Sequence, residues 1–221
     1  GSGKTRVITH RIAYLIDSCG VRPGSILAVT FTNKAAGEMR HRVEALVGEA
    51  AKSVWISTFH STCVRILRHD IEALGYRRDF VIYDDDDQLR VIKLVLQELK
   101  ISHKELPPAG VRARIDRHKN GISAGEYVPR SDPFPRILAL YDQRLKAANA
   151  LDFNDLINKV VELWGGFPDV RQRWQRRWRY VLVDEYQDTN PVQYRFLRLL
   201  CDGDSPNLAV VGDDDQSIYR F

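Results

Sequence analysis

Residues 180–185 read Tyr180-Val181-Leu182-Val183-Asp184-Glu185, and this stretch decides the fold. A short apolar run of this kind, bounded by polar residues, suits a strand covered on both faces. The two acids that follow place both carboxylates at the C-terminal end of that strand, where open parallel sheets bind their ligands. A capping role for these acids is superfluous, because Asn190-Pro191 already supplies an N-cap and a first-turn proline for the next helix.

A second stretch gives the acids a partner. The chain opens on Gly1-Ser2-Gly3-Lys4-Thr5, which matches the end of a GxxxxGK[ST] phosphate loop running into a helix. Glycines let backbone N–H groups approach phosphate closely, and the helix start adds favourable partial charge. Alone, these residues read equally as a Gly-Ser linker with a chance Lys-Thr. Combined with a strand ending in Asp-Glu they imply nucleoside triphosphate hydrolysis. Lys4 would then reach the β- and γ-phosphates, and the Thr5 hydroxyl would ligate Mg²⁺. Asp184 would hold Mg²⁺ through water, and Glu185 would orient and deprotonate the attacking water. The first half of the loop is missing and no Met opens the chain, so the sequence is expected to be a fragment.

Apolar runs at 25–30, 53–57, 180–183 and 207–211 alternate with helical patterns at 6–17, 34–47, 61–74 and 192–201. Such alternation predicts α/β architecture with a parallel sheet. From 83 to 178 the pattern is almost wholly helical, with breaks at Pro107-Pro108, Asn120-Gly121 and 133–135. The expected organisation is therefore an α/β core over 1–82, an inserted helical subdomain over 83–178 and the rest of the core over 179–221. Hydrophobic residues make up 44% and charged residues 28% of 221, a globular balance. No apolar run approaches the roughly 20 residues of a membrane span, and no signal peptide is evident. Three widely spaced cysteines without a CxxC pair argue against a disulfide framework or a zinc site. A cytoplasmic location is expected. The net charge of +4 permits nucleic-acid binding without requiring it.

Two further clusters follow predicted strands: Thr30-Phe31-Thr32-Asn33-Lys34 and Thr58-Phe59-His60-Ser61. Each brings small polar donors and an aromatic ring to the sheet edge that carries the acids. Such donors suit phosphodiester oxygens, and a ring can stack on an unpaired base for about 1–3 kcal/mol. The competing reading makes Phe31 and Phe59 core residues.

The segments GSGKT, LAVTFTNKAAGEMRHRV, STFHSTCVRIL, ALDFNDLI, VLVDEYQDTNPVQY and VVGDDDQSIYRF resemble, in order and spacing, the motifs of UvrD/Rep/PcrA-type superfamily-one DNA helicases. The resemblance runs from Gly1 to Phe221. It implies a RecA-like P-loop core interrupted by a helical insertion, and a second such core outside this sequence. It further implies an ATP- and Mg²⁺-dependent motor that moves 3′ to 5′ on single-stranded DNA and opens ss/dsDNA junctions in repair or replication. By resemblance Gly1, Ser2, Gly3, Lys4, Thr5 and Arg6 bind nucleotide, and Thr5 and Asp184 hold the metal. Glu185 activates water, Gln187 couples the sites and Gln216 senses the γ-phosphate. Phe31, Thr32, Asn33, Thr58, His60, Tyr219 and Phe221 fall on the DNA path. Tyr186 replaces the Phe of many relatives, and Phe221 a Trp. The arginine fingers of such motors lie beyond Phe221, so the chain by itself is expected to hydrolyse ATP barely or not at all. A helicase–nuclease subunit and a non-catalytic ATP-binding DNA clamp are the alternatives, and repair-protein partners or a dimer are left open.

Three features stay secondary. Asp84 to Asp87 reads as a solvated helix start, and Asp213 to Asp215 as a turn beside Gln216. The Arg171 to Arg179 stretch, with Trp174 and Trp178, fits either duplex phosphate contact or a packed helix with an exposed basic face.

Overall fold

The computed structural model describes residues 3–122, 131–202 and 207–213. Helix α1 (Lys4–Asp17) starts at Gly3, whose φ of 70° lies in the left-handed region open to glycine, and it buries Ile8, Ile12 and Leu15. Strand β1 (Ile26–Thr30) is buried throughout. Thr32 caps α2 (Asn33–Val47) by accepting from the Ala35 N–H, and β2 (Trp55–Thr58) follows. Thr58 in turn caps α3 (Phe59–Asp70) by accepting from the Ser61 N–H.

After β3 (Val81–Ile82) come α4 (Asp85–Glu98), α5 (Pro108–Lys119), α6 (Phe134–Ala147) and β4 (Ala150–Leu151). Asp84 forms a capping box with Asp87 at the start of α4, and Asp85 pairs with Arg112. The acidic run is thus a helix start, as its sequence predicts. Then follow α7 (Asp155–Gly166), α8 (Pro168–Arg177), β5 (Tyr180–Val183), α9 (Pro191–Cys201) and β6 (Asn207–Val210).

The main sheet is parallel with order β2-β1-β5-β6. Register aligns Thr30 with Thr58, Val29 with Val183, and Val183 with Val210, so the C-terminal ends share one edge. The strands show why they read as continuous apolar runs. Ile26, Ala28 and Leu182 face α1 and α2, while Leu27, Val29, Val181 and Val183 face α3, α7, α8 and α9.

The helical block divides differently from its sequence grouping. Ile92, Leu96, Ile115, Ile137, Tyr141 and Leu145 of α4, α5 and α6 form their own cluster. Leu156, Val160, Trp164 and Trp174 of α7 and α8 pack instead with the sheet. The two-residue strands β3 and β4 pair in parallel where the chain leaves and re-enters the core. We therefore propose 83–151 as the inserted unit, with α7 and α8 belonging to the core. In the Arg171 to Arg179 stretch, Trp174 and Trp178 are core residues. Trp174 donates to Asp70 Oδ2 at 2.8 Å, which fits the packed-helix alternative for the tryptophans.

Candidate active site and nucleic-acid interface

The starts of α1 and the ends of β5 and β6 converge. Lys4 Nζ lies 3.1 Å from Asp213 Oδ2 and 3.5 Å from Glu185 Oε2. Thr5 donates its hydroxyl to Asp184 Oδ2 at 2.9 Å, and Asp184 Oδ1 accepts the Glu185 N–H at 3.1 Å. Gln187 ties the group together: its Nε2 donates to Glu185 Oε2 at 2.6 Å, and its Oε1 accepts the Asp213 N–H at 3.1 Å. A Cβ on Gly212 would stand 2.9 Å from Gln187 Oε1, so a larger residue there would push the Gln187 amide out of this arrangement.

Glu185 adopts φ 51° and ψ 46°, a left-handed conformation rare for a side chain with a Cβ. Such a residue costs about 1–3 kcal/mol and persists where the surroundings hold it, as at functional sites. Here the Asp184 N–H bonds to Val29 and the Tyr186 N–H to Val211, so the neighbouring strands clamp both sides of the turn.

Burial pushes the Asp184 carboxyl up, with the Glu185 charge adding to it and the Thr5 hydrogen bond opposing. For Lys4, desolvation pulls the ammonium down, but the hydrogen bonds and charges of Asp213 and Glu185 outweigh it and the pKa is raised. Three carboxylates thus surround one ammonium. That excess of negative charge, with the adjacent Thr5 and Asp184 oxygens, fits a hard divalent cation such as Mg²⁺.

Farther along the same edge, the Phe31 and Phe59 rings meet edge-on at 5.5 Å. Phe59 is fully buried and also packs on Phe196, so it is core; Phe31 is only partly covered. Thr32 and Asn33 are exposed at the start of α2. Thr58 is buried, and its hydroxyl is occupied by the Ser61 N–H and Oγ. His60 stacks on the exposed Phe153 ring at a centroid distance of 3.8 Å.

The insertion touches this assembly through amides. Asn190 caps α9 just after the Asp184-Glu185 turn, and its Nδ2 donates to Asn120 Oδ1 at 2.9 Å. Asn120 in turn donates to Asn154 Oδ1 at 3.1 Å.

The sequence model of the UvrD/REP helicase N-terminal domain matches residues 1–221. The chain belongs to that family. It is 47% identical over 231 residues to the ATP-dependent DNA helicase PcrA of Bacillus subtilis, covering all of this chain and 31% of that protein. It is 48% identical over 237 residues to the ATP-dependent DNA helicase UvrD1 of Mycobacterium tuberculosis, again covering all of this chain and 31% of the relative. The chain therefore spans about a third of the length of these UvrD/REP relatives.

Among the residues expected to serve a UvrD/REP site, Lys4, Thr5, Asp184, Glu185 and Gln187 come together. Gly3 opens the helix beside them. Arg6 stays apart on the exposed face of α1, its Nε 3.4 Å from His10 Nε2. Gly1, Ser2, Gln216, Tyr219 and Phe221 lie outside the described residues. Two participants were not singled out by the sequence. Asp213 sits in an acidic run, and only its position just beyond β6, next to β5, marks it as a Lys4 partner. Phe153 lies in the ALDFNDLI segment, and only its contact with His60 sets it apart.

Burial lowers the His60 pKa to about 4. The stability that the neutral ring contributes is complete above the ordinary value of about 6.5 and is lost as pH falls through about 4. An NMR titration of the His60 ring protons is expected to show no charging between about pH 8 and pH 5.5; a midpoint near about 6.5 would refute this. Near neutral pH His60 is therefore an uncharged ring rather than a cation.

No helix among the described residues is long and apolar enough to cross a membrane.

Proposed function

We propose that this chain is the first motor core of an ATP-dependent DNA helicase that translocates 3′ to 5′ on single-stranded DNA. The observation carrying this reading is the cluster of Lys4, Thr5, Asp184, Glu185 and Gln187 on the edge that also presents Phe31, Thr32 and Asn33. Lys4 neutralises phosphate charge, and the start of α1 offers its N–H groups. Thr5 and Asp184 hold Mg²⁺, which supplies charge neutralisation at the phosphates. Glu185 accepts the proton of the attacking water.

Gln187 gives the chemistry a route outward. It bonds to Glu185 and to the backbone beyond β6, so a displacement of either group is felt by the other. Asn190, a few residues on, reaches the insertion through Asn120. In the DNA path, Phe31 offers a ring face and Thr32 and Asn33 offer donors, while His60 and Phe153 add a second stacked pair. Thr58 acts there as the cap that aims His60 rather than as a contact of its own. The catalytic arginines and the second core belong to the remainder of the protein, along with the choice of DNA junction.

The test is strand separation by the full-length protein on duplexes carrying one single-stranded tail. The expected result is ATP-dependent unwinding of the 3′-tailed duplex and little of the 5′-tailed one. Equal activity on both overturns the polarity, and DNA-independent ATP turnover without unwinding overturns the helicase reading.

A further inference from the structure

The sheet edge farthest from the nucleotide cluster carries a second cationic feature. Strand β2 is the outer strand on that side, and a groove of about 630 Å³ runs beside it. Asn33 lines one end, Lys52 and Ser53 the other, with Arg40, Arg65 and Arg177 between them. Among the described residues, no acidic side chain lines it.

The cations are held in different ways. Arg40 donates to the Ile56 carbonyl at 2.7 Å and so occupies an outward carbonyl of the edge strand. Arg65 lies 4.3 Å from the Trp55 ring centroid and Arg177 5.5 Å from the same ring. Trp55 thus serves as a platform on which two guanidinium groups are stacked. Among the described residues neither has a carboxylate partner, whereas Lys52 pairs with Glu49 in an exposed ion pair. Two guanidinium groups around one ring repel each other, and a shared anion relieves that repulsion.

We propose that this groove binds the sugar–phosphate backbone of a nucleic-acid strand continuing past Asn33. The proposal rests on the DNA path described above, because Asn33 belongs to both. The four residues of β2 extend about 13 Å at roughly 3.3 Å each, so the groove prolongs the contact surface along the whole strand. The ring of Trp55 is covered by guanidinium groups, leaving charge rather than a free aromatic face as the main offering. Contacts here are therefore to phosphate and indifferent to base. The edge is also unsuited to strand addition by a peptide, since Arg40 already occupies the Ile56 carbonyl.

The test uses the full-length protein with Lys52→Gln, Arg65→Gln and Arg177→Gln combined, and Arg177→Gln alone as a milder variant. All three side chains are exposed, so the fold is expected to survive. Binding to single-stranded oligonucleotides of increasing length is measured against salt. For long strands the slope of log affinity against log salt is expected to become shallower by about 2 in the triple variant, from three contacts at about 0.7 each. The single variant is expected to lose about 0.7. The shortest strands, which end within the Phe31 to Asn33 path, are expected to bind both variants like the unsubstituted protein. An unchanged slope for long strands, with binding intact, overturns the groove and leaves the helicase reading standing. Absence of any single-strand binding by the unsubstituted protein overturns the DNA path itself. Binding of polyglutamate that the triple substitution abolishes, with the DNA slope unchanged, assigns the groove to an acidic protein and refutes a nucleic-acid occupant.

Discussion

Lys4→Ala in the full-length protein is expected to abolish strand separation and to cut ATP turnover by at least about 10²–10³-fold, while single-strand binding is retained. The magnitude is that of removing one preorganised charge-stabilising group from a reacting centre. Lys4 is held by Glu185 and Asp213 on two different strand ends, so its ammonium is fixed where those strands and the start of α1 meet. Its raised pKa keeps it charged throughout the working range. Alanine removes that charge and leaves the Glu185 and Asp213 carboxylates facing each other. The proposed DNA path depends on none of this: Phe31 rests on Phe59, Thr32 caps its own helix, and Thr58 caps the helix that carries His60. Phosphate-release and unwinding assays check the first part, and fluorescence anisotropy with an oligonucleotide checks the second. Unwinding within tenfold of the unsubstituted protein would remove Lys4 from the mechanism, and loss of DNA binding would show that the two sites are not separable.

The core was legible because its signals are dense and local. The strands at β1 and β5 are unbroken apolar runs, buried on both faces, and Asn190-Pro191 marks the start of α9 by residue type alone. The packing partners of the helices within 83–178 were not legible. α7 and α8 carry the same helical period as α4 to α6, and periodicity reports an apolar face without naming its partner. Only packing shows that Trp164 lies on Phe196 at 5.0 Å, inside the sheet's own core. The strands β3 and β4 were invisible for another reason: two residues each are too few to display a period.

The candidate site was read unevenly for similar reasons. Residues whose role follows from a strand end or a helix start could be named, as with Lys4, Thr5, Asp184 and Glu185. Residues whose role comes from convergence could not. Asp213 becomes a partner of Lys4 only because β6 lies beside β5. Thr58 shows packing adding a role that residue type alone does not name: its hydroxyl accepts the Ser61 N–H and so begins α3.

The same lesson in convergence applies to Lys119, whose replacement by methionine is expected to lower stability by about 3–5 kcal/mol. Lys119, at the end of α5, is buried and reaches Asp152 and Asp155 at 2.8 Å and Asp142 at 2.9 Å. Asp152 is fully buried and also accepts the Tyr141 hydroxyl at 3.0 Å. The cluster therefore ties α5 and α6 of the insertion to the start of α7 in the core. Burial, opposed by Lys119 and reinforced by Asp152, pushes the Asp155 carboxyl up to about 6. Methionine removes the nearest opposing charge, so Asp155 climbs further and the native variant binds protons that the unfolded chain, near 3.8, does not. A folded pKa above the unfolded one means that stability is present at low pH and lost as pH rises through the folded value. The deficit of Lys119→Met is thus expected to be largest near about pH 8 and to shrink toward about pH 5, as urea melts at the two values would record. Adding Asp155→Asn removes one of the stranded carboxylates and is expected to recover part of the loss near neutrality. A deficit below about 1 kcal/mol, the size of an exposed pair, would refute the cluster as the joint between insertion and core. So would a deficit that does not change with pH.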